Sequence, residues 1–397
     1  MSKKKCVVSL LICALSLVVF NSIYFSWNLE AFHFGYPSYT HTDSDLKPKH
    51  TNIVFLKTHK TASTTVQSML FRFAERNNLT VAFPKPACGH QFCYPNVFSA
   101  EFVHPQTQPP NIIANHMRFN RHELQNLMPN NTKYITILRE PASMFESLFA
   151  YYINHAEAFR RVPDGFMETF LEDPLQYYWP KEDNAMYVHN TLTFDLGGDK
   201  DRPAADVAYA QEFVAEVERV FSLVMISEYF DESLVLLRHL LSWDLQDILY
   251  VKLNMRKESS KKSLSPALSQ KIRAWNTVDA HLYDYFNASL WVKLSELGLD
   301  SVAKEVKHLR QAQEKLIKRC FGGQMPLLRS ASEIKSKKLR PWQPSENVGI
   351  VGYDLPSNIS LETKELCLKY IMPEVSYTPM FLHSQLLQHH QNLTSPS

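Results

Sequence analysis

Nine consecutive residues, Lys57 to Thr65, hold two lysines, one histidine and five hydroxyl side chains. Ammonium groups set among hydroxyl donors can grip a compact oxyanion, and transfer of a phosphoryl or sulfuryl group needs such a grip. The candidate contacts are Lys57, Lys60, Thr61, Ala62, Ser63, Thr64 and Thr65. The stretch has no glycine, and Lys60 precedes the hydroxyl cluster, so the GxxxxGK[ST] pattern of nucleoside-triphosphate turns is not met. His59 lies inside the turn and reads as a residue that shapes it. A second cationic position is Arg139, followed by Pro141 and Ser147; a planar guanidinium can hold a phosphate through two parallel bonds. A third position is His116, whose imidazole titrates near neutral pH and suits acceptance of a hydroxyl proton. His189, Glu182 and Asp183 are the reserve bases, and Arg118 is placed to orient substrate or nucleotide.

These groups need a scaffold that brings distant segments together. Ile53 to Leu56 is a four-residue apolar run, short enough for a strand buried on both faces. Val66, Met69, Leu70 and Phe73 then fall on one helical face. Further strands are expected at Asn111 to Phe119, delivering His116 and Arg118, at Tyr134 to Leu138, delivering Arg139, and at Val220 to Ser227. Helices are expected at 206–219 and 231–241, and Pro141 suits a first helical turn. Strands alternating with helices predict an α/β fold, a mostly parallel sheet covered by helices on both faces. Ligands bind at the C-terminal ends of such strands.

Between the last two of these strands, residues 153–205 form an insertion rich in Tyr, Trp, Asn, Asp and Pro. Aromatic rings beside amides and acids suit a carbohydrate, so Tyr178, Trp179, Asp183, Asn184 and His189 are candidate substrate contacts. The alternative is a loop packed on its own aromatics. A basic run, Arg256 to Lys262, follows an apolar stretch at 248–253 that reads as another strand; Arg256 is a candidate phosphate contact. Residues 266–297 and 301–318 read as two amphipathic helices parted by Gly298, and the last ~75 residues, weakly periodic, wrap the domain.

With 42 Lys and Arg against 40 Asp and Glu, the net charge of +2 gives no global field for nucleic acid. Lys3 to Lys5 precede an apolar run from Cys6 to Trp27, about the ~20 residues of a spanning helix. Basic residues on the short side hold that end in the cytoplasm. The expected layout is a cytoplasmic tail (1–5), an uncleaved signal-anchor (6–27), a luminal stem (28–50), a catalytic domain (51–385) and a flexible tail (386–397). Five sequons, at Asn78, Asn130, Asn287, Asn358 and Asn392, agree with a luminal domain. Beyond the anchor are Cys88, Cys93, Cys320 and Cys367; three pairings are open, and proximity suggests 88 with 93 and 320 with 367. A zinc site using His90 fits no common spacing, and no acidic metal-binding pattern marks a strand end.

The strand-turn-helix with Lys60-Thr-Ala-Ser-Thr-Thr resembles the 5′-phosphosulfate loop of sulfotransferases, and Arg139-x-Pro141 with Ser147 resembles their 3′-phosphate site. Phe55 to Thr61, Asn184 to Gly197 and Ser227 to Leu234 together resemble the galactose-3-O-sulfotransferase family. That resemblance implies a Golgi type II membrane enzyme with a P-loop-NTPase-like sulfotransferase fold. It implies 3′-phosphoadenosine 5′-phosphosulfate (PAPS) as donor, no metal, and a galactose-terminated acceptor on a glycoprotein or a galactosylceramide-type lipid. It further implies Lys60 as a catalytic contact to the phosphosulfate and His116 as the base. The rival readings are a uronyl 2-O-sulfotransferase-like enzyme and a non-catalytic Golgi membrane protein that retains the fold. Ala62 stands where many sulfotransferases have glycine, which raises the question of the backbone conformation there.

Overall fold

The computed structural model of the protein describes residues 47–345 and 348–394. The expected anchor (6–27), with the cytoplasmic tail and nearly all of the stem, lies outside the described residues. Among those described, no helix is long and apolar enough to cross a membrane.

β1 (Ile53–Leu56) is buried along its whole length, as an apolar run covered on both faces must be. α1 (Ser63–Arg76) buries Val66, Met69, Leu70 and Phe73 behind it. The chain continues through β2 (Val81–Ala82), β3 (Ile112–Ile113), β4 (Lys133–Leu138), α2 (Pro141–Tyr152), α3 (Val207–Val220), β5 (Leu223–Ile226) and α4 (Phe230–Leu241). These five strands form one parallel sheet in the order 2-3-1-4-5. β1 therefore lies between β3 and β4, and the loops leaving their C-terminal ends are neighbours. Lys57, His116 and Arg139 all belong to those loops.

Three expectations need correction. The strand expected at Asn111 to Phe119 keeps two ladder residues. Beyond Ile113 the backbone turns to a different partner: the carbonyls of His116 and Arg118 accept from the N–H groups of Phe92 and Phe98. The apolar stretch at 248–253 is no strand. It buries Ile248, Tyr250 and Val251 in the core, and Asn254 turns at a φ of 55° before pairing begins. Pairing then joins β6 (Met255–Arg256), β7 (Arg329–Ser330) and β8 (Ile350–Gly352) in a small antiparallel sheet with β8 central. Finally, the first of the two expected long helices is divided into α5 (Pro266–Trp275) and α6 (Thr277–Leu297), with α7 (Leu299–Cys320) after Gly298. The break falls at Asn276, whose side-chain oxygen accepts from the N–H of Asn190, a long-range bond that outweighs local periodicity.

Two further helices, α8 (Leu361–Ile371) and α9 (Glu374–Thr394), close the chain, the second continuing past residue 385. Disulfides join Cys88 to Cys93 and Cys320 to Cys367. The insertion packs on its own rings: Phe159, Phe170, Tyr177 and Tyr178 share a cluster with Phe145 and Phe149 of α2.

Candidate active site

After β1 the backbone enters the left-handed region twice, at Lys60 (φ 58°) and Ala62 (φ 65°). A non-glycine residue there costs about 1–2 kcal/mol, so the surroundings must hold the turn. Thr58 and Thr61 hydroxyls lie 2.8 Å apart, and the Thr58 hydroxyl also donates to the carbonyl of Ile137. The Ser63 hydroxyl donates to the Thr58 carbonyl at 2.6 Å. Arg139 Nη1 donates to the Lys60 carbonyl at 3.0 Å. The hydroxyls thus act as internal struts, and Arg139 is tied directly to the turn. Ala62 serves as N-cap of α1, whose first N–H groups lie beside the cations, the usual surroundings of a bound anion.

A cavity of about 590 Å³ opens over this turn. Lys57, Lys60, Thr61, Ala62, Ser63, Thr64 and Thr65 line it, together with Arg139, Ser147 and Arg256. Burial, then the charges of Arg256, Arg139 and Lys57, push the Lys60 ammonium down to about 7. Its Nζ stands 3.7 Å from the centre of the Tyr151 ring. Arg139 is likewise lowered, first by burial. Arg256 is paired with Glu146, both nearly buried, and its Nη1 is enclosed without a partner among the described residues. Such crowding of like charge is relieved by a polyanion.

In the same cavity two imidazoles stack, His59 on His116, with centroids 4.1 Å apart. His116 Nδ1 is 2.8 Å from the Lys57 carbonyl, which can only accept, so this nitrogen carries the hydrogen and Nε2 the lone pair. That Nε2 accepts from Lys57 Nζ at 2.7 Å. Burial, then Lys57 and His59, hold the His116 ring well below the ordinary histidine value, so it is neutral. His59 Nδ1 faces the carboxylate of Asp195 at 2.9 and 3.0 Å, and the Tyr94 hydroxyl donates to the same carboxylate at 2.8 Å. His59 Nε2 is enclosed with no hydrogen-bond partner among the described residues. A carboxylate fixing one imidazole nitrogen while the other stays bare is the arrangement of an oriented base. Asp195 is set by the short helix Thr191–Asp195, whose first N–H groups are held by the Asp279 carboxylate. Gly197 follows at a φ of 87°, where a Cβ would stand 2.5 Å from the Phe119 carbonyl oxygen.

Other expected residues lie elsewhere. Arg118 is half-buried, stacks on Phe194 and donates to the Gly198 carbonyl at 3.3 Å. Tyr178 is buried, its hydroxyl bound to Asp201 and Lys200. His189 faces Asp201 at 3.3 Å and stacks on Trp275. Glu182 pairs with Arg161, whose guanidinium covers the exposed ring of Trp179. Asn184 donates to the His155 carbonyl, and Asp183 is exposed. None of these lines the cavity; the insertion uses its polar groups to fasten itself. Its contribution to the cavity is indirect, through Asp195.

Sequence reasoning missed Asp195, Tyr94 and Tyr151, and it missed Glu374, which pairs with Lys57 at 2.8 Å. It weighed His90 only as a zinc ligand and missed Gln91; both line the cavity, and their signal was available, since they sit inside the short loop closed by Cys88 and Cys93. Among the described residues no group of three or more His, Cys, Asp or Glu is placed to hold a metal ion.

The model of the family described as galactose-3-O-sulfotransferase matches residues 1–385. Galactose-3-O-sulfotransferase 3 of Bos taurus is 54% identical over 388 residues, covering 97% of this chain and 90% of the relative. The Homo sapiens protein of that name is 53% identical over a stretch of the same length. Galactosylceramide sulfotransferase of Homo sapiens is 43% identical over 331 residues, 82% of this chain and 77% of the relative. A phosphate-type turn of this build, an arginine site beside it and matches of this extent agree: the chain is a sulfotransferase and belongs to the galactose-3-O-sulfotransferase family.

Proposed function

We propose that the enzyme transfers the sulfuryl group of PAPS to the 3-hydroxyl of a terminal β-galactose, on a glycoprotein or a galactosylceramide-type lipid. The observation that carries this reading is the convergence of Lys60, Arg139 and Arg256 on one cavity, with the Lys60 ammonium pushed down to about 7. That donor set fits a nucleotide with phosphate at both ends, and the names of the relatives point to galactose. PAPS, when bound, supplies an already activated sulfate with adenosine 3′,5′-bisphosphate as leaving group.

Lys60 and the first N–H groups of α1 take the phosphosulfate end and stabilise charge that spreads there during transfer. Arg139 and Ser147 take the 3′-phosphate, and Arg256 closes that end. Proton acceptance was expected at His116, but its lone pair is engaged by Lys57. We assign it instead to His59 Nε2, oriented by Asp195, and give His116 the task of steering the Lys57 ammonium. Golgi residence, a single-pass type II orientation with the domain in the lumen, and N-glycosylation are part of the same proposal, supported by the N-terminal apolar run and the sequons.

The test is transfer from labelled PAPS to a panel of galactosides and uronic-acid polymers, with mass-spectrometric location of the sulfate. Product at the galactose 3-position is expected. Lys60→Ala and Arg139→Ala, folded by thermal melt, are expected to lose transfer; unchanged rates in both would remove the site. His59→Asn is expected to lose about 10²–10⁴-fold in kcat, the usual worth of a general base.

A further inference from the structure

α9 opens on Glu374, which lines the same cavity as Lys57, Lys60 and the arginines. Its Oε2 is 2.8 Å from Lys57 Nζ, and that nitrogen is 2.7 Å from His116 Nε2. The carboxylate is therefore one side chain removed from the stacked histidines. The second oxygen, Oε1, is enclosed and has no hydrogen-bond partner among the described residues. The side chain as a whole is 13% exposed. Gln67 Nε2, also unpartnered among the described residues, lines a small void with the same side chain. An unsatisfied carboxylate oxygen withdrawn from water is costly, and a fold retains one where a bound water or an incoming donor completes it. That donor is not an anion, since the carboxylate repels the phosphates that Lys60, Arg139 and Arg256 attract. A neutral hydroxyl is the matching group, and a sugar acceptor brings several.

We propose that Glu374 is an acceptor-recognition residue: Oε1 accepts a hydrogen bond from a galactose hydroxyl other than the one sulfated. Oε2 meanwhile holds the Lys57 ammonium against His116. This rests on the galactoside sulfotransferase reading above. A site built to bond a particular hydroxyl rejects the analogue that lacks it, because the buried acceptor is then left unpaired.

The test compares the wild type with Glu374→Ala on a β-galactoside and its 2-, 4- and 6-deoxy analogues at saturating PAPS, with PAPS affinity measured separately. On the wild type, one deoxy analogue is expected to lose about 10- to 100-fold in kcat/KM, the range for a hydrogen bond to a charged group. On Glu374→Ala, that preference is expected to shrink to within about threefold, the parent acceptor's KM to rise, and PAPS affinity to stay within about twofold. Should Ala impair folding, Glu374→Met, closer in volume, runs the same comparison. A variant that keeps the wild-type ranking of the analogues, with an unchanged acceptor KM, overturns the proposal while leaving the galactoside reading intact. A wild type that sulfates no galactoside removes both.

Discussion

Burial and neighbouring cations bring the Lys60 ammonium down to about 7 in the free protein, and a bound polyanion offsets the cationic share of that cause, so nucleotide binding should carry a proton with it. Burial and the charges of Arg256, Arg139 and Lys57 bring the ammonium from an ordinary 10.5 to about 7. With phosphate charge beside it the ammonium should stay protonated in the complex through pH 9. The sign follows directly: the free enzyme loses the Lys60 proton as pH rises through 7, the complex does not, and affinity falls. From pH 7 to pH 9 the charged fraction of free Lys60 drops from about one half to about one hundredth, so the apparent Kd should rise about 50-fold, ~2.3 kcal/mol. A phosphate monoester completes its second ionisation near pH 6, so the charge of the ligand hardly changes across this window. The assay is calorimetric titration with adenosine 3′,5′-bisphosphate in two buffers of different ionisation enthalpy. Proton uptake should climb from about one half per nucleotide at pH 7 to about one at pH 9. Lys60→Arg, charged throughout, should bind with a nearly flat profile. A flat wild-type profile without proton uptake, or an equal slope in Lys60→Arg, would refute the reasoning.

Ala62→Gly should stabilise the fold by about 1 kcal/mol, read from urea unfolding midpoints, because Ala62 holds a left-handed φ of 65°. Arg256→Met should destabilise by about 3 kcal/mol, seen as a lowered Tm, since it strands the nearly buried Glu146 carboxylate. Among the sequons, Asn78, Asn130 and Asn358 are exposed, whereas Asn287 is half-buried within α6 with its Oδ1 enclosed. Glycosidase treatment of single Asn→Gln variants should therefore show glycan at the first three and none at Asn287.

The cationic turn was legible in the sequence because each part is local: a strand, a turn and a helix that announce themselves through periodicity, with the cation at a fixed place between them. Lys60, Arg139 and Ser147 needed no knowledge of distant contacts. The surroundings of the stacked histidines were not legible, because their groups come from segments that carry no shared pattern. Asp195 lies 136 residues from His59, and Glu374 follows a stretch of weak periodicity at the far end of the chain. The insertion misled for a physical reason. Tyr, Asn and Asp suit a sugar and equally suit a loop that must satisfy its own polar groups while burying rings, and Tyr178 with Asp201 and Lys200 took the second course. The stretch at 248–253 has a strand's composition, but its Ile248, Tyr250 and Val251 are buried in the core without pairing to either sheet.

Glu374 opens α9, whose Tyr377 and Phe381 rings meet Phe71 of α1 edge-on. A chain cut upstream of residue 374 would lose part of the packing behind the anion turn together with one wall of the cavity. Nicking in that segment should therefore loosen the turn as well as the wall, and an intact α9 is the better mark of a functional preparation.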